Sequence, residues 1–270
     1  MKILFIGDIF GRSGREALDQ HLPTLKQQLT PDVIIVNGEN AAHGKGITKK
    51  IAAELFEQGV DCITTGNHVW DQREILSYID KEPRLLRPVN FPASAPGQGF
   101  YRHKLPDGRT IMIINAMARL FMEPLDDPFK AVHDLVQQYP LVQKSDAIFV
   151  DFHGETTSEK MALAHYMDGK ISALVGTHTH IPTADAHIMA GGTAYQSDAG
   201  MTGDYDSVIG VRKDIAMHRF IHKTPHPEKM IPANGIATLC GTFITINSQT
   251  CLAKAVEPVR IGGILNSCKI

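Results

Sequence analysis

The residues able to do chemistry gather in five short polar clusters, each closing an apolar run: Gly7-Asp8, Asn37-Gly38-Glu39-Asn40, Gly66-Asn67-His68, Asp151-Phe152-His153-Gly154 and Gly176-Thr177-His178-Thr179-His180. Together they offer carboxylate, amide and imidazole donors from five separated points of the chain. Such a mixed oxygen and nitrogen set suits manganese, iron or zinc, whereas magnesium and calcium prefer oxygen alone. Two such ions about 3.5–4 Å apart can activate a bridging hydroxide and clamp phosphoryl oxygens, which is what hydrolysis of a phosphoester requires. Taken singly, each residue has an ordinary explanation. Asp8 could cap a helix, Asn67 could serve a turn, and a lone histidine is more often a surface or core residue. The repetition of one pattern at five strand-like ends carries the reading.

For these side chains to meet, the runs before them must form a sheet, because ligands in open α/β sheets bind outside the carboxyl ends of the strands. The runs Ile3–Ile6, Val33–Val36, Asp61–Thr65, Ala147–Val150 and Ile171–Val175 have the short, continuous apolar character of strands buried on both faces, with Asp61–Thr65 the weakest. Between them, Ser13 is expected to cap a helix towards Gln28 with Leu18, Leu22 and Leu25 on one face. Thr48 is expected to cap a second helix through Phe56, and further helices are expected over 72–79 and from Thr157 or Ser158 to Tyr166. This alternation predicts βαβ units and a largely parallel core. Phe100–Lys104 and Thr110–Asn115 flank Asp107-Gly108, a strong hairpin signal. Strand-like stretches follow at 193–196 and 237–247, and 118–128 reads as a long functional or mobile loop. No repeat, low-complexity tract or linker divides the chain, so residues 1–270 are expected to form one domain.

Composition narrows the partners. The 270 residues are 43% hydrophobic and 21% charged with a formal net charge of -2, and no long basic block is present. A surface gripping duplex nucleic acid by its phosphates would usually be basic, so a small or short substrate is expected and duplex DNA is not. The N-terminal apolar run is too short for a signal segment and no stretch approaches a membrane span. Cys62, Cys240, Cys251 and Cys268 are scattered without CxxC spacing and are expected to be free thiols. These features predict a soluble, cytoplasmic protein.

Gly66-Asn67-His68 and Gly176-Thr177-His178-Thr179-His180, the latter with one residue inserted after its glycine, make the sequence resemble the calcineurin-like metallophosphoesterase superfamily. The pattern of that superfamily runs D-x-H, G-D, G-N-H-[DE], a lone H, then G-H-x-H. Phe10 stands where the first histidine would be, and Glu39 replaces the bridging aspartate. With Gly7-Asp8-Ile9-Phe10-Gly11-Arg12 and the Phe121-Met122 to Asp126-Asp127-Pro128-Phe129 segment, these departures resemble the YmdB-like branch. The resemblance spans essentially the whole chain. It implies an α/β fold of the calcineurin-like type: central β-sheets packed between helices as an α-β-β-α sandwich, with the metal site at the C-terminal strand ends. It further implies a 2′,3′-cyclic-nucleotide 2′-phosphodiesterase with two divalent or mixed-valence ions, iron or manganese first and zinc as a further candidate. Carried over residue by residue, Asp8, Glu39 and His180 would hold the first ion, with Asn40 as an added oxygen ligand where Phe10 removes the imidazole. Glu39 would bridge to a second ion held by Asn67, His153 and His178. His68 would be the general acid; its alternative role is a hydrogen bond to phosphate or to a neighbouring carboxylate.

Other readings are weaker. Gly7, Gly11 and Gly14 miss the dinucleotide spacing, and Gly44-Lys45-Gly46 lacks the P-loop frame. His218, His222 and His226 read as surface residues. Competing functions are a general nucleotide phosphomonoesterase on the same metal pair, or a metal- or nucleotide-binding regulator with vestigial hydrolysis, against which the full ligand set argues. Whether the substrate is a free nucleotide or an RNA end, and whether the chain forms a homo-oligomer, stays open at this level.

Overall fold

Ile3, Leu4, Phe5 and Ile6 are all fully buried, so the first strand has no solvent face and must be covered on both sides. The computed structural model, which describes residues 1–268, shows how. The elements in chain order are β1 (Lys2–Ile6), α1 (Gly11–Leu29), β2 (Val33–Asn37), α2 (Lys49–Glu57), β3 (Cys62–Thr64), α3 (Ile75–Tyr78), β4 (Phe100–Lys104) and β5 (Thr110–Met117). They continue with α4 (Pro128–Gln138), β6 (Ala147–His153), α5 (Thr157–Met167), β7 (Ala173–Thr177), β8 (His187–Ile188), β9 (Ala194–Gln196), α6 (Lys213–His222), β10 (Leu239–Ile246) and β11 (Ala253–Ile261).

The strands form two sheets, ordered β11-β10-β1-β2-β3 and β4-β5-β6-β7-β9-β8. Within the first, β1, β2 and β3 are parallel, β10 pairs antiparallel with β1, and β11 pairs antiparallel with β10 at the edge. In the second, β5, β6, β7 and β9 are parallel, with β4 and β8 antiparallel at the edges. The period-2 alternation of strand side chains sorts the core into layers. Ile3 and Phe5 of β1 join Val33 and Ile35 of β2 in facing Ile111, Ile113, Phe149 and Val175 of the other sheet. Leu4 and Ile6 point the other way, onto Leu18, Leu22 and Leu25 of α1 and Ile51 and Leu55 of α2. The far face of the second sheet, with Met112, Ile148, Val150 and Leu174, is covered by Val132 and Val136 of α4 and Leu163 and Met167 of α5. The result is the expected α-β-β-α arrangement. Phe5 and Phe149 lock the inter-sheet layer with ring centroids 5.0 Å apart.

Local expectations hold with some corrections. Thr48 caps α2, its side chain accepting from the Ile51 N–H at 3.2 Å, and the 105–109 hairpin forms with Gly108 at φ +93°. Ser13 does not cap α1, which begins at Gly11; its hydroxyl donates instead to the Ala233 carbonyl at 3.1 Å. The expected helix over 72–79 is shorter, Ile75–Tyr78, and passes into a 3-10 turn. The segments that became α4, α6 and β11 carried no sequence expectation as elements. Among the described residues no helix is long and apolar enough to cross a membrane, and Cys62, Cys240, Cys251 and Cys268 are free.

Candidate metal centre

Five parallel strands, β1, β2, β3, β6 and β7, end at one rim where the two sheets meet. Asp8 follows β1, Glu39 and Asn40 follow β2, Asn67 and His68 follow β3, His153 closes β6, and His178 and His180 follow β7. Asp8, Glu39, Asn40, His153 and His180 are buried. Two glycines permit the close approach. A Cβ on Gly66 would sit 2.2 Å from the Glu39 carboxylate and 2.3 Å from the His153 ring, and one on Gly7 would sit 2.0 Å from the Gly200 carbonyl.

Glu39 lies at the junction. Its Oε1 is 3.0 Å from His153 Nε2 and accepts from Asn40 Nδ2 at 3.2 Å, while Oε2 accepts from the His68 N–H at 3.3 Å. On one side, His153 Nε2 also meets Asn67 Oδ1 at 3.0 Å and His178 Nδ1 at 3.1 Å. On the other, Asn40 Nδ2 meets His180 Nε2 at 3.2 Å. Donor atoms of Glu39, His153 and His178 all fall within 4.8 Å of one another, a spacing a single cation could span. Asn40 presents its NH2 group to this cluster, so serving as an oxygen ligand would require its amide to turn over.

Each imidazole has one ring nitrogen engaged on its outer side and the other turned inward. His153 Nδ1 is 2.9 Å from Thr177 Oγ1, whose hydroxyl in turn donates to Asp151 Oδ1 at 2.7 Å. Because that hydroxyl's proton goes to Asp151, its oxygen accepts from His153 Nδ1–H, and Nε2 is the nitrogen left for the centre. His180 Nδ1 donates to the Ile209 carbonyl at 2.8 Å, and His178 Nε2 lies 3.3 Å from the half-exposed Glu155 carboxylate. Asp151 itself is buried and accepts from Asn37 of β2, Thr64 of β3 and Thr177 of β7, tying the two sheets together directly under the centre.

Burial and close charge contacts dominate the ionisation of the cluster. Burial pushes the Asp8 carboxyl well above its usual range, more than His153 can offset. Burial acts on Glu39 in the same direction, but there the His153 charge and hydrogen bond, with His68 and His178, prevail and hold it down to about 2. The two carboxylates differ because Glu39 touches an imidazole at 3.0 Å, whereas Asp8 Oδ1 is 3.9 Å from His153 Nδ1. His153 is raised to about 9: burial opposes its charge, and Glu39, Asp8 and Asp151 outweigh the burial. His178 is lowered to about 3 by burial and by His153, and burial lowers His180. Asp8 Oδ1 is buried with no hydrogen-bond partner, although Oδ2 accepts from the His178 N–H at 3.1 Å. An unpaired buried carboxylate oxygen is costly, and a cation in the cluster would satisfy it. That unpartnered oxygen, beside inward-facing imidazole nitrogens, fits a metal centre.

His68 stands at the edge rather than among the inward nitrogens. It is 27% exposed and its Nδ1 lies 3.0 Å from Asp71 Oδ2, which leaves Nε2 free to meet a substrate. Sequence reasoning placed Asp151 and Thr177 in polar clusters without a role and passed over Asp71, Lys160 and Asp198. A hydrophilic residue inside an otherwise apolar strand was the available signal for Asp151. Nothing comparable marked Asp198. His218, His222 and His226 cluster on and beside α6, with ring centroids of His222 and His226 4.5 and 5.1 Å from that of His218.

Comparison with known proteins points the same way. A family model described as YmdB-like protein matches residues 4–259. A Bacillus subtilis (strain 168) protein named 2′,3′-cyclic-nucleotide 2′-phosphodiesterase is 46% identical over 97% of both chains. A crystal structure of a hypothetical protein from Thermus thermophilus superposes with a TM-score of 0.89 at 40% identity, covering 98% of this chain and 100% of the other. Another, of a novel phosphatase from Mycoplasma pneumoniae, gives a TM-score of 0.90 at 34% identity, covering 97% and 93%.

Proposed function

Since the chain belongs to the YmdB-like family, we propose that it hydrolyses 2′,3′-cyclic nucleotides to nucleoside 3′-phosphates at a centre built for two metal ions. The observation that carries this reading is the set of three imidazoles turned inward around Glu39, beside the unpartnered Oδ1 of Asp8. Support for the substrate comes from the Bacillus subtilis relative, whose name specifies that reaction.

Asp8, Glu39 and His180, with Asn40 after its amide turns, would hold one ion; Glu39, Asn67, His153 and His178 would hold the other. The mixed nitrogen and oxygen donors favour iron or manganese, with zinc next. When bound, two such ions supply a nucleophile at neutral pH and neutralise charge on the phosphoryl oxygens. The chain's own contribution to the reaction lies in His68. Its free Nε2, with Nδ1 held by Asp71, can deliver a proton to the departing O2′ as the P–O2′ bond breaks. Water supplies the oxygen gained by phosphorus, so the product is a 3′-phosphate monoester and a free 2′-hydroxyl. A general phosphomonoesterase would instead cleave the terminal ester of AMP.

Turnover of 2′,3′-cyclic AMP, a simple aryl phosphodiester and AMP by Mn(II)-loaded protein tests the reading. The cyclic nucleotide should be cleaved at least tenfold faster than AMP, giving 3′-AMP. Preference for AMP, or 2′-AMP as product, would overturn it. A short RNA ending in a 2′,3′-cyclic phosphate, run beside the mononucleotide, separates an RNA-end substrate from a free one.

A further inference from the structure

Helix α5 opens beside the centre with two consecutive charged residues, Glu159 and Lys160, that are both buried. They serve loops on opposite sides. Glu159 accepts from the N–H groups of Arg119 (3.0 Å) and Leu120 (2.9 Å), where the chain leaves β5. Lys160 is wholly buried, and its ammonium donates to the Thr177 carbonyl at 2.8 Å and to Asp198 Oδ2 at 2.9 Å. A buried ammonium is tolerated only when paired and hydrogen-bonded, and here the partner is itself engaged further. Asp198 Oδ2 accepts from the Thr179 N–H at 3.0 Å and the Thr179 hydroxyl at 2.8 Å, and Oδ1 accepts from the Gly200 N–H at 2.9 Å.

These bonds bracket His178: Lys160 grips the residue before it and Asp198 the residue after it. The bracketed segment is strained, with His178 at φ +99° and His180 at φ +68°. Non-glycine residues hold such angles only where the surroundings over-determine them. The chain after Asp198 continues as a strap beneath the same loops. Ala199 N–H donates to the Gly176 carbonyl at 2.9 Å, Met201 N–H to the His180 carbonyl at 3.0 Å and Thr202 N–H to the Asp8 carbonyl at 2.8 Å. A Cβ on Gly176 would lie 1.9 Å from the Ser197 carbonyl and 2.8 Å from Lys160 Cδ, so the end of β7 presses against Lys160 and against the residue before Asp198.

We propose that the buried Lys160–Asp198 pair is the device that holds His178 and His180 in a metal-binding orientation, both residues acting as positioning residues that touch neither metal nor substrate. The proposal rests on the metal reading given above. Its physical basis is that an imidazole offers one directional lone pair, so the backbone carrying it has to be held against its own preference.

The test uses chelator-stripped, full-length protein titrated with Mn(II) by calorimetry, with a thermal melt of the same sample. Lys160→Met keeps the stem and removes the donor, and should weaken Mn(II) affinity by about 10- to 100-fold, the range for supporting residues of metal sites. At saturating Mn(II) its kcat should recover most of the loss, with KM for the cyclic nucleotide unchanged. The double variant Lys160→Met/Asp198→Asn leaves neither charge unpaired; it should melt nearer the parent yet still bind Mn(II) weakly. Thr179→Val, which removes one arm, covers the case in which Lys160→Met fails to fold, and should show a smaller loss of the same kind. A folded Lys160→Met or Thr179→Val protein that binds Mn(II) like the parent overturns the proposal. So does a double variant that regains both stability and affinity, because the pair would then serve the fold alone. If the parent protein itself binds no Mn(II), the metal reading fails, and that result is separable from the others.

Discussion

The two sheets contribute different chemistry to their common rim, and they hold it differently. The β1–β2–β3 side brings Asp8, Glu39, Asn40 and Asn67, whose donors are oxygens or amides on backbone without positive φ. The β6–β7 side brings His153, His178 and His180, two of them at positive φ, each with an outward polar partner. The difference follows from the ligands. A carboxylate has two oxygens and about four lone-pair directions, so it can reach a cation from several rotamers. An imidazole has one usable lone pair in the ring plane and must be aimed. The oxygen side therefore needs placement only, whereas the imidazole side needs placement, tautomer and angle. That is why Thr177, Asp151, Lys160 and Asp198 all stand behind the imidazoles.

The comparison can be broken at its shared atom first. Glu39→Gln keeps the shape and removes the charge both sides share; activity on 2′,3′-cyclic AMP should fall by about 10³-fold, several kcal/mol of lost charge stabilisation. Calorimetric Mn(II) titration should show weaker binding, and circular dichroism an intact fold. Retention of two metals and full activity would sink the assignment of Glu39. His68→Ala should slow turnover by about 10²-fold while leaving Mn(II) stoichiometry unchanged, because it acts on the leaving oxygen. The defect should be largest for substrates with poor leaving groups, so equal losses on an aryl phosphodiester and on the cyclic nucleotide would argue against a general acid.

Smaller perturbations separate the two sides. Thr177→Val removes the hydroxyl that sets the His153 tautomer, and Mn(II) affinity should drop by about 10-fold or more with little change in KM. Glu155→Gln touches only the exposed partner of His178. An exposed pair of this kind contributes about 1 kcal/mol at most, so metal affinity should change by no more than about fivefold. If Glu155→Gln proved as damaging as Thr177→Val, the distinction between buried and exposed supports would be wrong. As a control on stability alone, Phe5→Ala at the inter-sheet contact should cost about 3–5 kcal/mol in denaturant unfolding.

The strands and their order along the chain were legible because they are continuous apolar runs, and the polar clusters were legible because they interrupt those runs. Gly66 could be recognised as part of a motif but not as the contact that admits both Glu39 and His153. Helix α4 was missed although Asp127-Pro128 is a good start signal, with Asp127 accepting from Phe129 N–H at 2.9 Å. Its buried positions, Pro128, Val132 and Val136, fall one per turn and leave a thin stripe. Strand β11 was missed because most of its residues are only half-buried at the sheet edge, where hydrophobic alternation has little to mark. Ser13 fits a helix cap in sequence, and the nearby Ala233 carbonyl drew its hydroxyl away.

By itself the sequence determined which donors exist and that each stands at or just past the end of a strand, since residue type and hydrophobic pattern are local properties. It also carried the resemblance through Phe10 and Glu39. Which nitrogen of each histidine turns inward was decided only in three dimensions. The partners that set those orientations lie far off in the chain: Ile209 for His180, and the Asp198 strap that, with Lys160, grips the loop carrying His178. Hydrogen-bond direction is a property of neighbours in space, and the fold chose the neighbours.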